Sequence, residues 1–417
     1  MFRNFLSRLV PHKKLIQNFG YLSALQIFNL ILPLLTYPYL IRILGKEVYG
    51  LIVFAQAVII YFTILTNYGF SISAVKEVSI HRAEKNKLSD IFSCVTIIKT
   101  FLLAVSIFIL YSVLFFIPQA QDYKTLFFLS MWICIYDILF PSWYFQGIEE
   151  MKYITYLTLI GRVFFASLIF IFVKDKSDYL LVPIINGVGA IITGLFSLYI
   201  IIIKHKVRFI IPDFKSVKYY FKDSTPIFLS NLSVRIYVST NKVLVGSFLG
   251  MADVAYYDLA EKINTILRSP LSILSQSLFP KISKDRDKYF VKKIFKISVL
   301  VNIVLFIVIL LTSNYIVLWL GGEEMLDAVI VVNLLAITLP LLAMNNVFGV
   351  QLLLTFGYNK LFSKGIILSG LFYASLALII WGLFDFNILN ITLMTVITEV
   401  FVTIYMYYNV KKLDLWV

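Results

Sequence analysis

The sequence predicts an all-α polytopic membrane protein of about twelve transmembrane helices in two six-helix lobes. Three observations lead there. Hydrophobic residues make up 60% of the chain and charged ones only 14%, with a mean hydropathy of +0.88; soluble domains are roughly 45–50% apolar and about 25% charged. Apolar runs of the length that crosses a bilayer, about 20 residues, recur from one end of the chain to the other. Lys and Arg are divided very unevenly among the segments that join these runs.

The runs occupy residues 15–37, 50–70, 91–117, 125–145, 154–173, 180–203, 224–248, 256–280, 294–318, 327–355, 365–384 and 390–409. The first follows MFRNFLSRLVPHKK, which is basic like a secretory signal. It is nevertheless as long as a full span, and no small-x-small cleavage site follows it, so it is expected to be retained with the N-terminus on the cytoplasmic side. In that orientation 26 of the 37 Lys and Arg fall in cytoplasmic segments. Five fall opposite: Arg42, Lys46, Lys124, Lys174 and Lys176. Such a bias sets topology, and an even number of spans places both termini in the cytoplasm. The formal charge of +14 is mainly this signal. It predicts weak attraction to anionic inner-leaflet lipid and argues against nucleic acid as a partner, because the basic residues are scattered over short loops. The longest loop, 204–222, divides the chain into lobes 1–205 and 206–417.

The halves echo one another. LIRILGKEVYG at 40–50 and LVGSFLGMADVAYY at 244–257 each place Leu-Gly at the far end of an opening helix, followed by Val and Tyr. Six spans per half make the repeats parallel, a transporter plan with the substrate path between the halves.

Six cations lie deeper than the first turn of a span: Lys99, Arg162, Arg235, Lys242, Lys262 and Arg268. Each costs about 2.5–3.5 kcal/mol on insertion scales if near the bilayer centre. Lys99 and Arg162 are placed about two turns from a cytoplasmic end, and Lys262 near the outer end, within reach of headgroups by snorkelling. Asn231, Arg235, Ser239 and Lys242 follow one helical face, as do Glu261, Asn264, Arg268, Ser272 and Ser275. Weaker stripes run through Gln26, Asn29 and Thr36, and through Gln56, Thr63 and Asn67. Spans one, two, seven and eight are therefore the expected cavity walls. The intramembrane acids Asp137, Asp258, Glu261 and Glu399 are too few to neutralise every cation. Two readings stay open: cations satisfied by these acids and by backbone carbonyls, or an electropositive lumen for an anionic ligand. Asp137, Glu261 and Glu399 are also the candidates for ion coupling. Pro33, Pro38, Pro226, Pro270, Pro280 and Pro340 mark sites where a helix can bend.

Other chemistry is sparse. Cys94 and Cys134 lie in separate apolar spans and read as packing residues, and His12, His81 and His205 fall in separate loops, so neither a metal site nor a cofactor is expected. NGVGAIITG at 186–194 lacks the strand–turn–helix context of a nucleotide site; close helix packing explains its glycines better. There is no P-loop, GxSxG, HExxH or paired CxxC, and no enzymatic role is expected.

The stretch QIFNLILPLLTYPYLIRILGKEVYGLIVFAQAVIIYF, with NYGFSISAVKEVS after it, resembles the amino-terminal signature of the O-antigen flippases, polysaccharide transporters of the MOP exporter superfamily that also holds the MATE drug exporters. WYFQGIEEMKYIT at 143–155 is similar to that family's segment after span four. IFLSNLSVRIYVSTNKVLVGSFL and YYDLAEKINTILRSPLSILSQSLFPKIS are similar to its second-lobe opening. The resemblance implies a MATE-like fold in a bacterial inner membrane. It implies a cargo of oligosaccharide repeat units on undecaprenyl pyrophosphate, flipped between leaflets by alternating access through a cationic cavity that includes Arg235, Lys242 and Arg268. A polysaccharide polymerase and a chain-length regulator are the implied protein partners. The competing reading is a MATE-type cation-coupled multidrug exporter, whose cationic substrates a positive cavity would repel.

Overall fold

The computed structural model describes residues 13–116, 122–385 and 387–416, apart from the side chains of residues 13–16, 19, 230 and 233–238. The expected basic leader at residues 1–12, His12 included, lies outside the described residues. In chain order the helices are α1 Lys13–Asn67, α2 Phe70–Ile80, α3 Lys85–Phe116, α4 Lys124–Ser130, α5 Trp132–Leu139, α6 Ser142–Gly147, α7 Met151–Phe172 and α8 Leu181–Tyr199. They continue with α9 Phe214–Phe248, α10 Met251–Asp285, α11 Lys288–Gly321, α12 Ala328–Ala336, α13 Thr338–Asn345, α14 Asn359–Leu383 and α15 Ile388–Lys412. Short π-helical stretches, Ile200–Lys204 and Asn346–Leu354, extend α8 and α13. The described residues contain no β-strand, as hydrocarbon demands of a chain that satisfies its backbone within each segment.

Nine stretches among the described residues are long and apolar enough to cross a membrane. The first, Gly20–Ile80, runs for 61 residues. Kept straight, it would be about 90 Å long, about three times the hydrocarbon thickness. It is broken at Gly45 (φ 75°, ψ 164°), a backbone conformation open essentially to glycine alone, and again at Tyr68 and Gly69, both with positive φ. The break at Gly45 turns one run into spans one and two. α9 and α10 fall outside the nine. They are long enough, but their polar stripes dilute their hydropathy, and counting them completes twelve spans. Both Leu-Gly pairs of the internal echo sit at helix breaks, Gly45 within α1 and Gly250 between α9 and α10.

Two boundaries differ from expectation. Residues 71–80, expected in a cytoplasmic loop, form α2, which packs on α6. Residues 214–222, expected in the longest loop, are the first turns of α9. In both, a helix continues past the point where the sequence stops being uniformly apolar, because one face still has a core to meet: Phe70 and Val78 on α2 and Tyr220 on α9 join a cluster with Ile91, Trp143 and Phe145.

By packing, the chain groups into two compact units. Unit 1 comprises residues up to Tyr39 and Ala55–Leu232; unit 2 comprises Leu40–Phe54 and Ser233–Val417. Within each unit, apolar contact alone gives little cohesion, since lipid tails are as apolar as Leu; small residues and polar pairs hold membrane helices together. α8 lies against α5 and α7, where Gly161 faces the Thr193 side chain and Gly194 faces Leu139 so closely that a Cβ would clash. This is the packing use expected of the NGVGAIITG glycines. α11 and α14 bury the smallest share of their apolar surface, leaving residues such as Leu311 and Leu371 to the lipid.

Candidate functional site

The intramembrane cations fall into three groups: paired, unpaired and undescribed. Lys99 of α3 is paired. Its side chain is 2% exposed, and its ammonium lies 2.7 Å from Asp137 Oδ2 and donates to the Asp137 backbone carbonyl at 2.8 Å. Asn67, at the end of α1, donates to the same carboxylate at 3.1 Å. The expectation that Lys99 reaches the headgroups by snorkelling is therefore corrected: a half-buried carboxylate on the next span in sequence competes better than distant headgroups. Asp137, a candidate for ion coupling, is the counter-ion of this pair.

Lys242 and Lys262 are paired as well. Lys242 of α9 lies 2.7 Å from Asp258 Oδ1 and 2.6 Å from Glu261 Oε2, both on α10. Lys262 reaches back one turn to Asp258 and donates to the Tyr49 hydroxyl at 2.8 Å, while Tyr49 donates to Asp258 Oδ2 at 2.9 Å. Asp258 is 3% exposed. Two ammoniums and two carboxylates form a cluster whose formal charges sum to zero. The expected snorkelling of Lys262 is overturned, since the i, i+4 spacing on a helix brings Asp258 within its reach. The cluster extends to the Gly45 break of α1: Lys46 donates to Tyr256 OH at 2.6 Å, and Tyr256 donates to Asp327 at 3.0 Å.

Arg162 and Arg268 have neither an ion pair nor a hydrogen bond among the described residues. Arg162 sits at the midpoint of α7, three turns from either end rather than the expected two from the cytoplasmic one. It is exposed, facing a cavity of about 400 Å³ within unit 1. Thr36, Trp132, Tyr136, Thr158 and Asn186 share that lining, and the Trp132 indole N–H is buried without an acceptor. Arg268 lines a smaller cavity of about 70 Å³ within unit 2, with Glu261, Asn264, Thr338, Thr395 and Glu399. Asn264 donates to Thr338 at 3.0 Å but leaves its own oxygen unpartnered. Glu399 accepts from Asn345 at 2.7 Å.

Arg235 lies on α9 among the side chains outside the described residues, and Asn231 lies one turn before it. Gln26 and Asn29 are half-buried on the first arm of α1, and the Asn29 side-chain oxygen is buried without a partner. Ser275, expected on a lumenal stripe, instead receives Gln351 of the π-helical stretch at 2.8 Å. The walls of the two cavities thus come from spans one, four, five and six in unit 1, and from spans seven, eight, ten and twelve in unit 2. Sequence reasoning missed Asn241. Its amide donates to Tyr257 OH at 2.6 Å and to Thr395 at 2.8 Å, and its oxygen accepts from Tyr373, so one residue ties α9 to α10, α14 and α15. The signal was an amide inside a span, off the stripe that drew attention.

A family model described as "Polysaccharide biosynthesis protein" matches residues 15–286. The chain belongs to this family. The family segment covers α1 to α10 and so contains Arg162, Lys242, Asp258, Lys262 and Arg268; Asp327, Asn345 and Glu399 lie beyond it. A candidate O-antigen transporter of Escherichia coli (strain K12) is 28% identical over 361 residues, covering 85% of this chain and 87% of that protein. A candidate O-antigen transporter of Shigella dysenteriae is 27% identical over 61% of this chain and 64% of its own length. The fold matches an inward-facing multidrug resistance MATE family transporter of the MOP superfamily, with a TM-score of 0.72 at 13% identity over 92% of this chain and 95% of that one. It also matches the lipid II flippase MurJ in an inward closed conformation, with a TM-score of 0.72 at 18% identity over 93% and 87%. The family member is therefore an all-α, multi-pass membrane protein with the fold of these two transporters.

Proposed function

We propose that the protein flips lipid-linked oligosaccharide repeat units, carried on undecaprenyl pyrophosphate, from the inner to the outer leaflet of a bacterial inner membrane by alternating access between lobes 1–205 and 206–417. The observation that supports this reading best is Arg162: a guanidinium at mid-helix in a membrane span, without a carboxylate, facing a cavity. An intramembrane charge is costly and marks a substrate path by default, and a guanidinium is the side chain best shaped for phosphate or carboxylate oxygens. Arg268 adds a second such cation, and Arg235 is a third candidate. Family membership and the names of the two relatives give the cargo its polysaccharide class. Lys99, Lys242 and Lys262, already neutralised, play supporting parts. The Lys and Arg bias puts both termini in the cytoplasm, where the chain would meet the enzymes that assemble the repeat unit; a polymerase and a chain-length regulator would act on the far side.

A pyrophosphate diester carries about two negative charges, and moving it outward releases roughly 2.3 kcal/mol per charge per 100 mV of membrane potential. Flipping would then follow the potential, with no coupling ion required at Asp137, Glu261 or Glu399. The test is complementation of a flippase-null strain scored by surface polysaccharide, followed by flipping in vesicles with the potential held or collapsed. Restored polysaccharide supports the reading. Drug resistance without restored polysaccharide would replace it with a MATE-type exporter, and flipping indifferent to the potential would remove the driving force argued here.

A further inference from the structure

We propose that residues 40–54 form a releasable strap on unit 2, fastened by Tyr49 and Lys46, and that its release is an obligatory step of the transport cycle. The inference rests on reading the chain as a transporter, but the strap itself is read from packing. The two arms of α1 on either side of residues 40–54 belong to unit 1, whereas these fifteen residues belong to unit 2. One continuous helical element thus leaves its own unit at its elbow.

The strap is held by polar fastenings of a particular kind. Tyr49, 6% exposed, stands between Asp258 and Lys262, donating to one at 2.9 Å and accepting from the other at 2.8 Å. Lys46 donates to Tyr256 at 2.6 Å, and exposed Arg42 donates to the Trp319 carbonyl at 2.7 Å in the last turn of α11. Removing the strap leaves the carboxylates of α10 paired. Asp258 keeps Lys242 and Lys262, Glu261 keeps Lys242, and Tyr256 keeps Asp327. Tyr49 is a neutral guest of a cluster that is already neutral, so detaching it avoids the large penalty of an unpaired buried ion. Buried charge that must stay paired usually locks a structure; here it is arranged so that the pairing survives departure.

Two further contacts are close and involve no charged side chain. Gly50 meets the Met251 carbonyl and Gly246 meets the Phe54 ring, each with no room for a Cβ. Pro38, two residues before the strap begins, withholds a backbone hydrogen bond from the helix there, a weak point where the arm can flex.

The test uses the full-length protein in proteoliposomes. Leu44→Cys, at a site on the strap that is 0% exposed, is treated with a membrane-impermeant maleimide on both sides of the membrane, and labelling is read by mass spectrometry. Buried Cys94 serves as the internal control in unit 1. Lys46→Met should speed labelling at residue 44 by about tenfold, the effect of one lost hydrogen bond to a charged group, and Tyr49→Phe, which loses two, by at least as much, with Cys94 unchanged. Unchanged labelling at residue 44, or equal acceleration at Cys94, overturns the strap. Ile41→Cys, 3% exposed, replaces Leu44→Cys if that variant does not fold. In a second arm, Lys46→Cys and Asp327→Cys are joined by a short cleavable bismaleimide. Transport should stop and return on cleavage; transport that persists while cross-linked overturns the obligatory step. Because labelling needs no substrate, a positive labelling arm beside a wild-type protein that moves no lipid-linked oligosaccharide would fault the flippase reading alone.

Discussion

Removing the charge of Asp137 should destabilise the fold more than removing the charge of Lys99, although the two make one ion pair. Asp137→Asn leaves the Lys99 ammonium in place, with its side chain 2% exposed. Its remaining partners would be the residue-137 carbonyl, now at 2.8 Å, and a neutral amide. Breaking a buried pair from one side costs about 3–5 kcal/mol, and this geometry belongs at that level. Lys99→Met leaves the Asp137 carboxylate 28% exposed and still accepting from Asn67 at 3.1 Å. Solvent and the amide offset much of the loss, and about 1–3 kcal/mol is expected. Ordinary hydrogen bonds in membrane proteins average only about 0.6 kcal/mol, because unfolded segments find other partners in the bilayer; a bare ammonium in hydrocarbon has no such alternative. The double variant Lys99→Leu/Asp137→Leu should recover most of the loss, since apolar replacement of a buried pair is often neutral. Reversible unfolding in mixed micelles, run as a double-mutant cycle, reads all three. A cost below about 1 kcal/mol for Asp137→Asn, or a larger cost for Lys99→Met, would refute the reasoning.

Three further outcomes are expected. Arg162→Met and Arg268→Ala should each abolish surface polysaccharide in the complementation assay while the protein still reaches the membrane; normal polysaccharide in both variants would reject these cations as part of the path, and Arg235→Ala tests the third candidate in the same way. Gly45→Ala should lower stability by about 1–3 kcal/mol, because its φ of 75° and ψ of 164° suit only glycine; unfolding midpoints equal to the parent would show that the elbow relaxes freely. Burial lowers the pKa of His205, against the opposing pull of Glu150, from the ordinary value of 6.5. Its folded form therefore favours the neutral ring, and the stability this contributes is complete above pH 6.5 and lost as pH falls below it. His205→Gln should flatten the fall in melting temperature on acidification, and an unaltered slope would show that another group sets it.

Much of the fold was legible because hydrocarbon imposes one rule on every segment: a run of apolar residues of the right length is a helix. Even the Gly45 break was visible, as a Leu-Gly pair in a run too long for one crossing. The site was less legible, for a geometric reason. Helical spacing reveals which residues share a face, so the link from Asp258 to Lys262 could be read from their i, i+4 spacing. It cannot reveal what that face meets. Lys242 carried the stripe expected of a lumen, yet two carboxylates from α10 reach it. Ser275 lay on the companion stripe but packs against Gln351, 76 residues away. Arg162 drew less notice than Arg235, because nothing in sequence distinguishes a cation that faces a cavity from one that finds a counter-ion. The assignment of residues 40–54 to unit 2 is the least local feature of all, resting on partners more than 200 residues distant.

The neutrality of the Lys242–Asp258–Lys262–Glu261 cluster has an electrical consequence. A group of side chains whose charges sum to zero carries no gating charge, so displacing it as a body through the transmembrane field requires and yields no work. With the lysines of unit 2 silenced in this way, the protein's own movements contribute little to voltage dependence from this region. A charge–voltage measurement on the empty carrier would then report the unpaired arginines and not these lysines, and any change in steepness on loading would report the valence of the cargo.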